Sequence, residues 1–577
     1  MKELLAVARG EKAADFVIKG ARIANVYTLE YEDVDVAVLG DKIAGVGSNY
    51  EGKQVVDANG AVLIPGLIDG HVHIESTTLA PAVFADHVVT RGTTTVMADP
   101  HEIANALGMR GIEYMYLASR GLPVDVFLAA SSCVPASAFE TPYEEMEMNR
   151  IRELFERGWC HHLGEVMNFP GVIAGDDAVW GKIEAAGNVP LTGHAPRVRG
   201  KDLCAYMTAG ISSDHESTDL EEAREKLRRG MWLMMREGAS SPDMKNLLPL
   251  VRENPALSSR CMAVSDDITA KYIVQTGHMD EKIRIMIGEG LNPLVALRMV
   301  TLSPASYFGL KDRGAIGPGL LADLVLVKNL QDCTVDKVWK NGRLTVDNGR
   351  LRRKHEVRVE HVAFQTDTRE IAPLSAEQIA IKAPGGAELH VIGLEPDSLA
   401  TRTLLMAPTV RDGLAVPDKD RDLAKIVVQE RHRGTGRFAV GFVKGLGMQW
   451  GAMASSVAHD AHNFVAAGMD DLSLETALGH LTRNGGGLVL ASESKVVGYF
   501  ALPVAGLMTT LDAESASRGL DKMEEKAKEM GIGIASPFMV LSFLCLTVIP
   551  ELKITDQGYI DLAKGGIRPL FSFSEFR

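Results

Sequence analysis

The chain has few cysteines, and none are spaced as a redox or metal pair. Six thiols at positions 133, 160, 204, 261, 333 and 545 are scattered through 577 residues with no C-x-x-C pair, which excludes a disulfide framework and fits a reducing cytoplasm. Long hydrophobic runs are also missing. The longest, Pro537 to Pro550, has fourteen positions, against the roughly 20 that a bilayer-spanning helix needs, and is expected to be a buried core segment. Met1 to Gly10 has charges on both sides of a short apolar stretch and no h-region, so no secretory signal is expected. Positive charge is in deficit: 61 Lys and Arg against 75 Asp and Glu leave a net charge of −14 with no sustained basic cluster. Such a surface repels phosphate backbones and anionic lipid, so no nucleic-acid or membrane partner is expected, whereas a small neutral substrate is compatible. Internal repeats and low-complexity segments are absent. What is present is an ordinary globular composition, 46% apolar and 24% charged. At about one domain per 150 residues the chain holds three or four units, fewer if one is a barrel.

Short β-type runs separated by Gly20, Gly40-Asp41 and Gly45 fill residues 12 to 60, as in a small antiparallel sheet. The same grammar returns at Asp323 to Val327 and Val335 to Leu344, where Asn341-Gly342 is a hairpin signal. Residues 1–60 and 310–360 are therefore expected to form one small β domain built from both flanks. Between them, apolar strands at 61–68, 93–99, 124–131, 161–169, 189–196, 210–216, 231–236 and 259–266 alternate with amphipathic stretches such as Glu144 to Arg157 and Leu220 to Arg229. Eight such units over 61–309 predict an α/β fold, a (β/α)8 barrel, with reactive groups at the C-terminal ends of its strands. After Arg352-Arg353-Lys354-His355 the alternation stops, and 361–577 is expected to be a separate C-terminal α+β domain.

The strand-end rule singles out particular polar residues. His71 and His73 stand two apart at the end of the first strand, so on extended backbone both rings face one point. Glu165 lies late in strand four, His194 ends strand five, His215 ends strand six and Asp266 ends strand eight. Taken singly each has a bland reading: His194 before Ala-Pro as a loop histidine, His215 between Asp214 and Glu216 as a salt-bridged surface residue. Four histidines and two carboxylates converging on one mouth suit a pair of divalent ions.

The stretch Pro65-Gly66-Leu67-Ile68-Asp69-Gly70-His71-Val72-His73-Ile74-Glu75-Ser76 resembles the first-strand signature of the metal-dependent amidohydrolase superfamily. With Ala98-Asp99-Pro100-His101-Glu102-Ile103-Ala104-Asn105 it is similar to the adenine deaminase family, and the likeness resumes at Leu163 to Asn168, Thr192 to Pro196, Ser213 to Glu216, Ser265 to Asp267 and Ser455 to Asn463. The resemblance implies a cytoplasmic hydrolase of purine salvage that converts adenine to hypoxanthine and ammonia. It also implies Mn²⁺ or iron as the metal. Many two-metal amidohydrolases bridge their ions with a carboxylated lysine, yet His161 to Met167 has no lysine and offers Glu165. Oxygen and imidazole donors suit Mn²⁺ or Fe²⁺ as well as Zn²⁺.

On this reading a hydroxide shared by two cations attacks C6 of adenine, and Asp266 accepts the water proton and delivers it to the departing nitrogen. Glu75, Asp99, Glu102 and Asp267 are candidate acid/base or ring-nitrogen contacts. A purine base and a homo-oligomeric partner are expected. The zinc deaminases with H-x-E and P-C-x-x-C are excluded by the missing Pro-Cys-x-x-Cys. His101-Glu102 fails as H-E-x-x-H because position 105 is Asn, Gly434 to Gly436 and Gly485 to Gly487 lack the G-K-[ST] of a phosphate loop, and no Gly-x-Ser-x-Gly occurs. Two other readings are an amidohydrolase opening a cyclic amide, like dihydroorotase or hydantoinase, and a non-catalytic scaffold. Outside the barrel the densest polar cluster is His459-Asp460-Ala461-His462-Asn463. It is expected either to close over the barrel mouth or hold a further ion through His459, Asp460 and His462, or to be a helix-start cap with solvated histidines.

Overall fold

The computed structural model describes residues 2–238, 242–357, 371–395 and 398–573. Eight parallel strands carry the central part: β1 (Leu67–Val72), β2 (Thr93–Ala98), β3 (Asp125–Ala130), β4 (Cys160–Val166), β5 (Leu191–Gly193), β6 (Ser213–Asp214), β7 (Trp232–Arg236) and β8 (Cys261–Val264). Strands β1, β2 and β8 are buried at every position, as parallel strands covered on both faces should be. The strands form a five-stranded sheet in the order β5-β4-β3-β2-β1 and a three-stranded sheet β6-β7-β8. At one edge the Ser212 N–H donates to Leu191 O at 3.2 Å, and at the other the Asp266 N–H donates to His71 O at 2.9 Å. Helices fill the connections. The helix Leu220–Arg228 starts where the Asp219 carboxylate accepts the N–H groups of Glu221 and Glu222, both at 3.0 Å.

The apolar run expected as one strand over 61–68 divides in two. Val62–Pro65 pairs with Arg22–Asn25 and Leu324–Val327 in a flanking sheet, and β1 begins only at Leu67. Gly66 is the crossing point, where an added Cβ would lie 2.1 Å from Thr94 Oγ1. In consequence His71 lies inside β1 rather than beyond it. The flanking region consists of a four-stranded and a seven-stranded sheet, the latter combining Arg22–Asn25, Glu30–Asp33 and Val62–Pro65 with four strands from Leu324 to Leu351. It is mixed rather than antiparallel, since Ala14–Lys19 runs parallel to Gly52–Asp57. Asn341 and Gly342, at φ 50° and 71°, make the two-residue hairpin turn that the sequence signals.

Beyond residue 371 the main feature is a nine-stranded sheet, running from Thr401–Met406 at one edge to Lys495–Ala501 at the other, with the helices Asp471–Asn484 and Ala513–Glu529. The junction expected at 360/361 lies outside the described residues. One continuous apolar core joins Ile74, Leu79 and Phe84 near the parallel strands to Met453, Val465 and Leu541 of the C-terminal part. Backbone pairing reinforces this contact: Ala80 N–H to Thr509 O at 3.2 Å and Thr509 N–H to Thr78 O at 2.7 Å. The run Pro537 to Pro550 opens with the helix Pro537–Phe543, whose Phe538 and Leu541 are buried. No helix among the described residues is long and apolar enough to cross a membrane.

Candidate active site

Glu165, near the end of β4, is the hub of the site. Its Oε1 lies 3.2 Å from His71 Nε2 and 3.0 Å from His73 Nε2, while its Oε2 lies 2.8 Å from His194 Nδ1 and 3.3 Å from His215 Nε2. Asp266 Oδ1 completes the first group, 3.4 Å from His71 Nε2 and 3.1 Å from His73 Nε2. All six residues expected at strand ends thus come together, with five of them buried and His194 half-buried. Asp266 adopts φ 56°, outside the usual range for a non-glycine residue, and is held there by the Asp266 N–H to His71 O bond.

The donor atoms are presented for a cation. The His73 Nδ1–H donates to Asp99 O at 3.0 Å, which fixes the tautomer and aims the Nε2 lone pair at Glu165 and Asp266. His71 Nε2 and Glu165 Oε1 are buried with no hydrogen-bond partner of acceptable geometry. Burial opposes charge on His71, yet the neighbouring carboxylates of Asp266 and Glu165 raise it to about 9; His194 reaches about 9 against the same burial through Glu216 and Glu165. Glu165, although buried, is held well below the usual carboxylate range by His215 and His194, and Asp266 by His71, His73 and Arg236. Two ionised carboxylates that draw protons onto their imidazoles demand positive charge at two adjacent points. Divalent ions satisfy that demand, and the residues present fit them.

The sequence reading missed two side chains here. Arg236, the last residue of β7, donates from Nη1 to Asp266 Oδ2 at 3.2 Å, from Nη2 to Asp243 Oδ2 at 2.8 Å, and also contacts Glu216. Glu216 Oε1 stands 3.6 Å from His194 Nδ1 and 3.4 Å from His215 Nε2. The available signal was position, since Arg236 ends a strand just as the histidines do.

Asp99 and Glu75 lie off the cavity. Asp99 accepts the Ser131 hydroxyl at 3.1 Å and the Glu165 N–H at 3.0 Å; burial works against its charge, but His101 holds it at about 2. It therefore holds the end of β4 in place. Glu75 accepts the Ile103 N–H at 3.2 Å, and burial together with Glu102 raises it to about 7.

The cavity over these groups has a volume of about 600 Å³, within the usual range for small-molecule sites. One side is the histidine and carboxylate mouth. The other is apolar and comes from the C-terminal part, including Leu399, Phe543, Leu546, Ile549 and Pro550. His459 and Asp460 line it too. Their segment is a turn between the strands Ala452–Ser455 and Phe464–Gly468, not a helix start, and its histidines are buried rather than solvated. His462 contacts Glu102 Oε2 through Nε2, and its Nδ1 accepts the Ala458 N–H at 3.1 Å.

A family model described as "Amidohydrolase family" matches residues 62–345, and one described as "Adenine deaminase C-terminal domain" matches residues 398–565. An adenine deaminase of Dehalococcoides mccartyi is 41% identical over 562 residues, covering 97% of this chain and 98% of its own. One of Desulfatibacillum aliphaticivorans is 42% identical over 565 residues, covering 97% and 98%. Among solved structures, a triazine hydrolase variant aligns at TM-score 0.47 and 16% identity over 58% of this chain and 96% of its own.

Proposed function

The chain belongs to the adenine deaminase family of the amidohydrolases, and from that premise we propose that it hydrolyses adenine to hypoxanthine and ammonia in purine salvage in the cytoplasm. The observation that carries the site reading is the sharing of Glu165, whose two oxygens face two different donor groups. His71, His73 and Asp266 with Glu165 Oε1 would hold one divalent ion, and His194 and His215 with Glu165 Oε2 a second. Such ions, when bound, supply a water acidic enough to act as a nucleophile near neutral pH. With no thiolate among the donors, Mn²⁺ or Fe²⁺ is the proposed metal, with Zn²⁺ the alternative.

The residues of the chain supply the rest. In the overall reaction the C6–O bond forms, the bond from C6 to the exocyclic nitrogen breaks, and that nitrogen must leave protonated. Asp266, kept ionised by Arg236 and the two histidines, is the group that takes the water proton and passes it to that nitrogen. The apolar wall of Phe543, Leu546 and Ile549 displaces solvent from the purine face. We assign the eight parallel strands to a (β/α)8 barrel over 61–309, beside a small β domain from 1–60 and 310–360 and ahead of a C-terminal α+β domain, 361–577. A homo-oligomer is the proposed assembly.

The test is ammonia release by the Mn²⁺-loaded protein from adenine, adenosine, cytosine, guanine and dihydroorotate. Turnover is expected with adenine, and turnover of a cyclic amide alone would overturn the proposal.

A further inference from the structure

The cluster around Glu102 spans both halves of the chain. Glu102 sits on the helix His101–Leu107 that follows β2, whereas His459 and His462 belong to the turn between two strands of the C-terminal sheet. Hydrogen-bond direction orders them. Because His462 Nδ1 accepts the Ala458 N–H, the proton of the neutral ring resides on Nε2 and is donated to Glu102 Oε2. A ring in that state has no lone pair at Nε2 for a cation, so His462 is a fixed donor rather than a ligand. Burial and the neighbouring charges hold it neutral, its pKa lowered despite the pull of Glu102.

Glu102 Oε1 in turn faces His459 Nδ1 at 2.8 Å, with His101 Nε2 at 3.3 Å. The His459 ring is held flat against Phe543, centroids 4.8 Å apart and planes 10° apart, and its backbone N–H donates to Ser542 Oγ at 3.1 Å. Ring plane and ring face are thereby set, with Nδ1 turned to Glu102. What remains is His459 Nε2, buried and without a partner, on a side chain that lines the cavity. A buried polar atom held in place with nothing to bond to points to a ligand.

We propose that His459 is a substrate-contacting residue supplied by the C-terminal sheet: its Nε2–H donates to a ring nitrogen of the purine, in an orientation set by Glu102 and His462. This rests on the adenine reading above. The donor assignment follows from geometry: although burial opposes charge on the ring, the carboxylates of Glu102, 2.8 Å from Nδ1, and Asp460, 3.6 Å from it, face the same edge of His459 and stabilise the imidazolium, which carries an N–H on Nε2 as well as on Nδ1, and the ring is accordingly raised well above the ordinary range. An N–H donor requires an acceptor, and the acceptors on the adenine ring are N1, N3 and N7. The C-terminal part then closes the cavity with an apolar wall and reads the base through one hydrogen bond. Glu102 and His462 are positioning residues for that contact.

The test pairs side-chain changes with ring-atom changes. Mn²⁺-loaded wild type, His459→Phe, His459→Gln and His462→Ala are assayed on adenine and on its 1-deaza, 3-deaza and 7-deaza analogues, with metal content measured for each. In wild type one deaza analogue is expected to lose about 10- to 100-fold in kcat/KM. In His459→Phe, which keeps the stacking but has no donor, the same replacement should cost almost nothing further, because the bond is already gone. His459→Gln, which keeps an N–H, should recover part of the discrimination, and His462→Ala should weaken it at unchanged metal content. If His459→Phe equals wild type on adenine, or if its losses multiply independently with all three analogues, the proposal is wrong. If wild type releases no ammonia from adenine, the deaminase reading itself falls and this contact with it.

Discussion

At the scale of the residue, Glu165 carries the most chemistry. Its two carboxylate oxygens face both sets of donors, so Glu165→Gln should leave the fold intact while lowering bound metal and cutting turnover at least about a thousandfold. Metal analysis beside ammonia assays measures both, and near-normal turnover in the variant would sink the assignment. The histidine pair was legible because spacing two apart on a strand forces a common direction. His194, His215 and Asp266 were legible because strand ends share one mouth. Glu216 was not, since a charged residue beside a histidine in sequence looks like any solvated neighbour; Arg236 ends a strand as the histidines do, but an arginine is no metal ligand, and only folding brings its Nη1 to 3.2 Å from Asp266 Oδ2. Asp99 shows the reverse: it has the right chemistry, but both oxygens are committed to Ser131 and the Glu165 N–H.

At the scale of the element, the loops that carry His194 and His215 are held by a buried lysine. Lys226, on the helix Leu220–Arg228, donates to Ala195 O at 2.8 Å, Asp214 Oδ2 at 2.9 Å, Ser217 Oγ at 3.1 Å and Glu222 Oε1 at 2.6 Å. Removing it would strand two carboxylates out of water. Lys226→Met should therefore cost about 3–5 kcal/mol, read as a fall in the urea midpoint; an unchanged midpoint would show that the network contributes nothing. The helix itself was legible from its periodicity, to within one residue at its C-terminal end. Its lysine was not, because Lys on an amphipathic helix is ordinarily solvated.

At the scale of the molecule, the two halves meet through polar groups as well as core. Glu140, in the segment after β3, accepts the Ser137 hydroxyl at 3.1 Å and a hydrogen bond from Thr547 in the C-terminal part. Burial first, then Asp460, raises its carboxyl to about 8. A folded-state pKa above the unfolded value means that the folded protein binds more protons between about pH 4.5 and 8. Stability from this group is thus full below that window and is lost as pH rises through it. Glu140→Gln should flatten the dependence of melting temperature on pH over this range and melt a few degrees above wild type at pH 8. Parallel curves for the two proteins would refute the assignment. The same contact explains the wall of the cavity, which Phe543, Leu546 and Ile549 supply from a run that the sequence marked only as buried.

The sequence by itself determined the alternation of strands and helices, the two-flank origin of the β region, and six polar residues facing one point. These follow from periodicity and from the rule that parallel strands end on one side, both local properties of the backbone. Tertiary structure decided three things: where the first apolar run breaks at Gly66, which carboxylates are already spoken for, and that His459 and His462 meet Glu102, 360 residues away from His462 in sequence. Each depends on a contact between distant segments. No local pattern encodes such a contact, because it is selected by the burial of a shared core rather than by the residues that happen to meet there.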